Sequence, residues 1–200
     1  MVLWDVDTQV DFLSPGGRLY IPGAERIVPN LRLLAEWAAE RHSLILSSAC
    51  AHQPGDPELE IYGQHCMAGT PGQQKIPETL LPDRFVVPNH PIDVPDLRQF
   101  QQLVLEKQAF DFRTNPNSHK VLRQLPADPT IALYGVATEI CVAAAARSLL
   151  AAGRKVLLVR DAVAEIDPVR AEAFLIDFVE RGGSFIKVQQ ILTSTDAIAA

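Results

Sequence analysis

The stretch 130–153, TIALYGVATEICVAAAARSLLAAG, constrains this chain more than any other. Its apolar run 131–134 predicts a buried strand, ended by Gly135. Thr138 is the expected helix N-cap, residues 143–152 are strong helix formers, and Gly153 suits the position just past the helix end. A strand, a tight turn and a helix in that order place Cys141 in the helix's first turn. There a thiol meets unpaired backbone N–H groups and the positive end of the helix dipole. Both lower its pKa and favour the thiolate. The same N–H groups suit an oxyanion formed by attack on a carbonyl. A small buried cysteine with no chemical role satisfies the same residues, and this stretch alone leaves both readings open.

The alternation continues along the chain. Strands are expected at Val2–Val6, 43–47, 103–105, 131–134, 155–160 and 184–188, with 85–88 a possible short addition. Helices are expected at 24–41, where Ile27, Leu31, Leu34, Trp37 and Ala38 share one face, and at 117–125 and 168–181. A final helical turn or two is expected at 194–200. Six strands with helices between them predict an α/β protein of three layers, α/β/α, around a six-stranded parallel sheet. Crossovers should be right-handed, and one domain should span 1–200. The segment 50–74, rich in Pro and Gly, is too long for a connector and reads as a functional loop.

Such a sheet needs apolar residues for two covered faces, and 48% hydrophobic against 21% charged residues supplies them in a chain of 200. The formal charge of −6 offers no basic footprint, so nucleic acid is not an expected partner. The three cysteines, 50, 66 and 141, form no CxxC pair, which suits reduced thiols in a cytoplasm. Asp5 comes too early for a signal peptide. No apolar run approaches the ~20 residues of a membrane span. A cytoplasmic protein without membrane contact is the expectation.

In open parallel sheets, ligands bind at the carboxyl ends of the strands, where the strand order switches. Asp7 follows the first expected strand, Cys50 and His52 the second, Lys107 the strand at 103–105, and Cys141 the next one. Singly, each has a plain structural explanation: a turn cap, a loop histidine, a solvated strand end. Together they lie on one rim, which favours joint chemistry.

Here the chain resembles the isochorismatase-like cysteine hydrolases, and among them the nicotinamidases. DTQVDF at 7–12 is similar to the family's first-strand motif, whose leading Asp is catalytic. EKQAF at 106–110 puts Lys107 where the family has its catalytic lysine. GVATEICV at 135–142 resembles the nucleophile motif and is the most specific of the three. HCMAGTPG at 65–72 resembles the loop carrying one metal-binding histidine, and RDAVAEID at 160–167 the segment after the fifth strand. The resemblance spans nearly the whole chain and implies a Rossmann-like hydrolase fold.

It also implies a mechanism. Asp7 acts as general base, Cys141 as nucleophile forming a thioester, and Lys107 keeps Asp7 ionised and favours the thiolate. The backbone N–H groups of Ala137 and Cys141 form the oxyanion hole, and the peptide between Val136 and Ala137 is cis. Nicotinamidases further bind a divalent metal through an Asp, a His two residues later, and a second His. This sequence has Cys50 in the Asp position, with His52 and His65 matching the histidines. A Cys/His/His set favours zinc; loss of the Asp equally allows loss of the site. Asp56 and Glu58 are near, but the resemblance does not make them ligands.

The implied activity is hydrolysis of a small carboxamide, nicotinamide-like, to acid and ammonia. Alternatives are an isochorismatase-type or metal-free N-carbamoyl-compound hydrolase, a silent binding protein on the same fold, and a thiol redox sensor. The absence of a second cysteine at motif spacing counts against the sensor. The resemblance also implies self-association. Segments 50–74 and 88–95 are expected to roof the pocket, with Phe12, Leu13 and Tyr20 as candidate walls. His42, His90, His119 and Cys66 have no expected role, and Trp4 and Trp37 are expected in the core.

Overall fold

The computed structural model describes residues 1–125 and 129–194. Seven strands form one sheet: β1 Val2–Val6, β2 Ile45–Cys50, β3 Arg84–Val87, β4 Gln102–Lys107, β5 Thr130–Val136, β6 Lys155–Ala164 and β7 Ser184–Ile186. Their order is β3-β4-β2-β1-β5-β6-β7 and every pairing is parallel. The seventh strand is β3, which pairs with β4 at the sheet edge, Arg84 opposite Gln102. Only Val87 of its four residues is buried, so its apolar signal is too weak to count from sequence.

Helices cover both faces. On one side lie α2 (Val28–Glu40) and α7 (Val188–Leu192). Their residues Leu31, Leu34, Trp37 and Ile191 pack with Leu3, Ile45 and Tyr134 of the sheet. On the other lie α4 (Ser118–Gln124), α5 (Ala143–Ala151) and α6 (Pro168–Glu180), whose Val121, Ala146, Phe174 and Phe178 pack with Trp4, Leu46 and Leu133. Each such fully buried side chain contributes roughly 1.5–3 kcal/mol by leaving water. Two short helices, α1 (Val10–Leu13) and α3 (Glu58–Tyr62), lie in the loops after β1 and β2. α6 starts as its sequence dictates: the Asp167 side chain accepts from the N–H groups of Val169 and Arg170, with Pro168 in the first turn. No helix of the described residues is long and apolar enough to cross a membrane.

Several boundaries differ from expectation for physical reasons. β2 begins at Ile45 and runs on through Ser47 and Ser48 to Cys50. The serines look like a strand end, yet both are buried, and Ser48 Oγ donates to the Asp7 carboxylate at 2.7 Å. β5 runs through Gly135 to Val136. Gly135 has φ +116° and lies so close to β1 that a Cβ would strike the Val6 carbonyl oxygen; the residue serves close strand approach rather than strand ending. The helix expected from residue 24 opens as a 3₁₀ turn, Ala24–Ile27, before α2. β7 stops at Ile186 and gives way to α7. Ser194 is not helical, and the rest of the expected terminal turn lies outside the described residues.

From β1 the chain runs through β2, β3 and β4 on one side and only then crosses to β5 on the other side of β1, so the strand order reverses at β1. The crevice beyond the carboxyl end of β1 is therefore the switch point at which this architecture binds ligands.

Candidate active site

Asp7 directly follows β1, with φ +51°, and its N–H donates to the Ser48 carbonyl at 3.1 Å. Lys107 is the last residue of β4 and is 1% exposed. Its ammonium lies 2.8 Å from Asp7 Oδ2, 3.1 Å from Cys50 Sγ and 3.5 Å from Cys141 Sγ. Three donors thus meet one carboxylate and two sulfurs. Burial disfavours the Asp7 charge, but the Lys107 ammonium and the hydrogen bonds from Lys107, Ser48 and Cys141 outweigh it and hold the carboxyl below the usual range. Lys107 is also desolvated, yet the negative partners around it keep it charged, raised well above an ordinary lysine.

Cys141 enters from the other side of β1. The turn that carries it, Thr138–Val142, is a π-helical turn rather than the first turn of an α-helix. The N–H groups of Ile140 and Val142 both donate to the Ala137 carbonyl at 3.1 Å, and Ala137, not Thr138, takes the cap position. The peptide between Val136 and Ala137 is cis. Glu139 ties this turn to the loop after β6, accepting from the N–H groups of Ile166 and Asp167 at 3.0 and 2.8 Å.

The thiols titrate against the expectation drawn from the helix start. The hydrogen bond from Cys141 lowers Cys50 to about 6, and that same bond, with burial added, pushes Cys141 up. The two residues are 91 positions apart, and only their shared contact with the Lys107 ammonium brings them together. Cys50 itself is pinned by Gln9, which accepts from the Cys50 N–H at 2.7 Å and donates to the Cys50 carbonyl at 2.8 Å.

A second cluster adjoins the first. His52 and His65 are both fully buried, with ring centroids 4.7 Å apart. His52 Nδ1 faces Asp56 Oδ2 at 3.1 Å, and His65 Nδ1 faces the Gly63 carbonyl at 2.9 Å. Those partners are acceptors, so each ring donates from Nδ1 and turns Nε2 away from them. Burial disfavours the His52 cation, but Cys50, Glu58 and Asp56 outweigh it and hold His52 above the ordinary imidazole value. Neither Nε2 has a hydrogen-bond partner, nor has Glu58 Oε2. Glu58 Oε1 stands between them, 3.7 Å from His52 Nε2 and 3.5 Å from His65 Nε2. Ligand atoms of Cys50, His52 and Glu58 lie within 4.8 Å of one another. That imidazole, carboxylate and thiol suit a divalent ion such as zinc, while His65 stands outside the trio, 3.5 Å from Glu58 Oε1. Glu58 is the residue sequence reading left out. Its signal was an acid opening a short helical turn in a loop otherwise rich in Pro and Gly.

Cys141 and Glu58 both line a narrow, half-open cleft of about 20 Å³. Cys141, Ala137 and Glu58 meet it with polar groups, and Phe12, Leu19, Tyr62, Phe110, Ile140 and Ile166 wall it. Of the candidate walls, Phe12 is one; Leu13 packs in the core and Tyr20 hydrogen-bonds to Glu25. Segment 50–74 contributes Glu58 and Tyr62, whereas 88–95 contributes no lining residue. Phe110 and Ile166 stand there instead. His42, His90 and His119 are exposed, Trp4 and Trp37 are buried, and Cys66 donates to the Gly72 carbonyl at 3.7 Å.

Two motif residues have structural work. Asp11 accepts from the N–H groups of Cys66 at 2.7 Å and Arg18 at 3.0 Å, joining the first loop to the one that carries His65. A Cβ on Gly72 would collide with the Asp11 carboxylate.

Comparison with known proteins gives consistent matches. The Isochorismatase domain family matches residues 2–190. A nicotinamidase of Acinetobacter baylyi is 27% identical over 181 residues, covering 81% of this chain and 80% of that one. A pyrazinamidase of Pyrococcus horikoshii, solved in complex with zinc, is 27% identical with TM-score 0.74, over 93% of this chain and 98% of that one. An N-carbamoylsarcosine amidase of Thermoplasma acidophilum is 28% identical with TM-score 0.73, over 100% and 98%.

Proposed function

This chain belongs to the Isochorismatase domain family, and from that premise we propose that it is a cysteine amidohydrolase cleaving a small, uncharged, flat carboxamide of the nicotinamide type. The observation that carries this is the meeting of Lys107 with Asp7 and Cys141, with Cys141 lining a narrow, mostly apolar cleft.

In this reading Asp7 accepts the thiol proton as Cys141 Sγ attacks the amide carbon. Lys107 holds the Asp7 charge in place and sits against the sulfur. The N–H groups of Ala137 and Cys141 hold the developing oxyanion. The tetrahedral adduct collapses as Asp7 returns the proton to the leaving nitrogen; the C–N bond breaks, ammonia departs and a thioester remains. Asp7 then takes a proton from water, which attacks the thioester and releases the acid and the thiol.

His52, His65 and Glu58, with Cys50 beside them, would hold a divalent ion. Bound there, it would supply a Lewis-acidic position for a ring nitrogen of the substrate or for water. Asp56 and the Gly63 carbonyl would keep the imidazoles oriented toward it.

The cavity favours nicotinamide-like amides over N-carbamoyl amino acids. No lysine, arginine or histidine is among its lining residues, and Glu58 would repel a substrate carboxylate. We include self-association in this reading, supported by the exposed apolar side chains of Ile176, Val179 and Phe185 on and beside α6. The test is ammonia release from nicotinamide, pyrazinamide, N-carbamoylsarcosine and a peptide amide. Activity on the first two alone is expected. Turnover confined to N-carbamoylsarcosine would replace this reading with the carbamoyl one.

A further inference from the structure

Cys50 and Cys141 lie 91 positions apart and belong to different strand–loop units, yet their sulfurs converge on one ammonium. Lys107 Nζ is 3.1 Å from Cys50 Sγ and 3.5 Å from Cys141 Sγ, so one ammonium bridges the two sulfurs. Their exposure differs in a way that sets an order of events. Cys141 is 6% exposed and lines the cavity, whereas Cys50 is 0% exposed and lies behind it. A small oxidant entering the cavity therefore reaches Cys141 first and meets Cys50 only through it. Cys66, the remaining thiol, is 0% exposed and turned toward the Gly72 carbonyl.

We propose that Cys50 is a resolving thiol for Cys141, so that oxidation by a hydroperoxide yields a Cys50–Cys141 disulfide that reversibly silences the site. The proposal rests on the reading of Cys141 as the nucleophile. In the first step the Cys141 sulfur attacks the peroxide O–O bond, giving a sulfenic acid and an alcohol or water. In the second, the Cys50 sulfur attacks the Cys141 sulfur; the S–O bond breaks, the S–S bond forms, and hydroxide leaves as water with the Cys50 proton. Sulfur loses two electrons in total and the peroxide gains them. Lys107 serves both steps, since its charge stabilises whichever sulfur carries the negative charge. A low-molecular-weight dithiol reverses the bond by exchange. Without Cys50 the sulfenic acid has no thiol in contact and proceeds to sulfinic acid, which thiols do not reverse.

The test oxidises the full-length protein, stripped with chelator, with one to a few equivalents of hydrogen peroxide. The expected product has one free thiol in place of three, the mass of two hydrogens lost, and the Cys50 peptide linked to the Cys141 peptide. Dithiothreitol should restore all three thiols. Cys66→Ser should give the same linkage, and Cys50→Ser should gain two oxygens on Cys141 and resist dithiothreitol. Native protein that accumulates sulfinic acid on Cys141 while Cys50 stays free overturns the proposal, as does a linkage through Cys66. Disulfide formation in a protein with no amidase activity before oxidation would refute the functional reading and leave this one standing. Full amidase activity with no disulfide would refute this one alone.

Discussion

Glu58 Oε1 stands 3.5 Å from His65 Nε2, and the second oxygen of the same carboxylate has no hydrogen-bond partner although it is buried. A buried carboxylate oxygen and two buried imidazole nitrogens, all without hydrogen-bond partners, are costly unless a cation joins them. One divalent ion per chain is therefore expected in protein purified without a histidine tag, measured by elemental analysis. Glu58→Gln should weaken zinc affinity by roughly 10–100-fold. Cys50→Asp should shift preference from zinc toward harder ions such as manganese. Equal zinc affinity in native protein and Glu58→Gln would remove Glu58 from the set.

Cys141→Ala should lower kcat by roughly 10⁴-fold or more, as loss of a nucleophile does. The side chain is small and sits in a turn that alanine accepts, so the thermal midpoint should fall by no more than corresponds to about 1 kcal/mol. Ammonia release at near-native rate would place the nucleophile elsewhere.

The Asp7–Lys107 pair sets a pH dependence of stability. Asp7 titrates below its ordinary value of 3.8 in the folded protein, so the unfolded chain binds that proton more readily. Its contribution is complete above the unfolded value and is lost as pH falls through the lower folded one. Lys107, raised above 10.5, contributes fully below that value and loses its contribution only at still higher pH. Asp5 opposes Asp7 in acid, because burial outweighs Lys75 and raises its carboxyl. Asp7→Asn leaves Lys107 buried without its carboxylate and should cost roughly 3–5 kcal/mol at neutral pH. Urea midpoints across pH 3–8 should also fall less steeply toward acid in Asp7→Asn than in native protein. An unchanged neutral midpoint would show that the pair is not holding the strand ends.

Gly135→Ala should destabilise by roughly 3 kcal/mol or more, since φ is +116° and the added methyl meets the Val6 carbonyl. Because this contact joins β5 to β1 directly before the nucleophile turn, amide turnover should fall with it. Urea titration alongside activity measures both, and a fully stable variant would contradict the close approach.

The strand–helix alternation, the parallel sheet and the rim that carries Asp7, Lys107 and Cys141 were legible in the chain itself. Apolar runs of four to six residues between amphipathic helices have few other ways to bury themselves. Individual boundaries were less legible. Ser47 and Ser48 look like a strand end, yet they continue β2 because buried carboxylates satisfy them. The Thr138–Val142 turn is indistinguishable from an α-helix start by residue type, and its widening is visible only in its backbone hydrogen bonds.

What the sequence determined by itself is local: which residues alternate, which cap, and which chemical groups stand at strand ends. What only the tertiary structure decided is which groups from separate loops become neighbours. Cys50 matches a metal-ligand position in the chain, but in space it also shares the Lys107 ammonium with Cys141. Glu58 is an ordinary acid in a loop until folding sets its carboxylate between two imidazoles. The physical reason is the same in both cases. The charge and proton affinity of a buried group are set by whatever lies within a few ångströms, and in a parallel sheet those neighbours come from strands far apart in sequence.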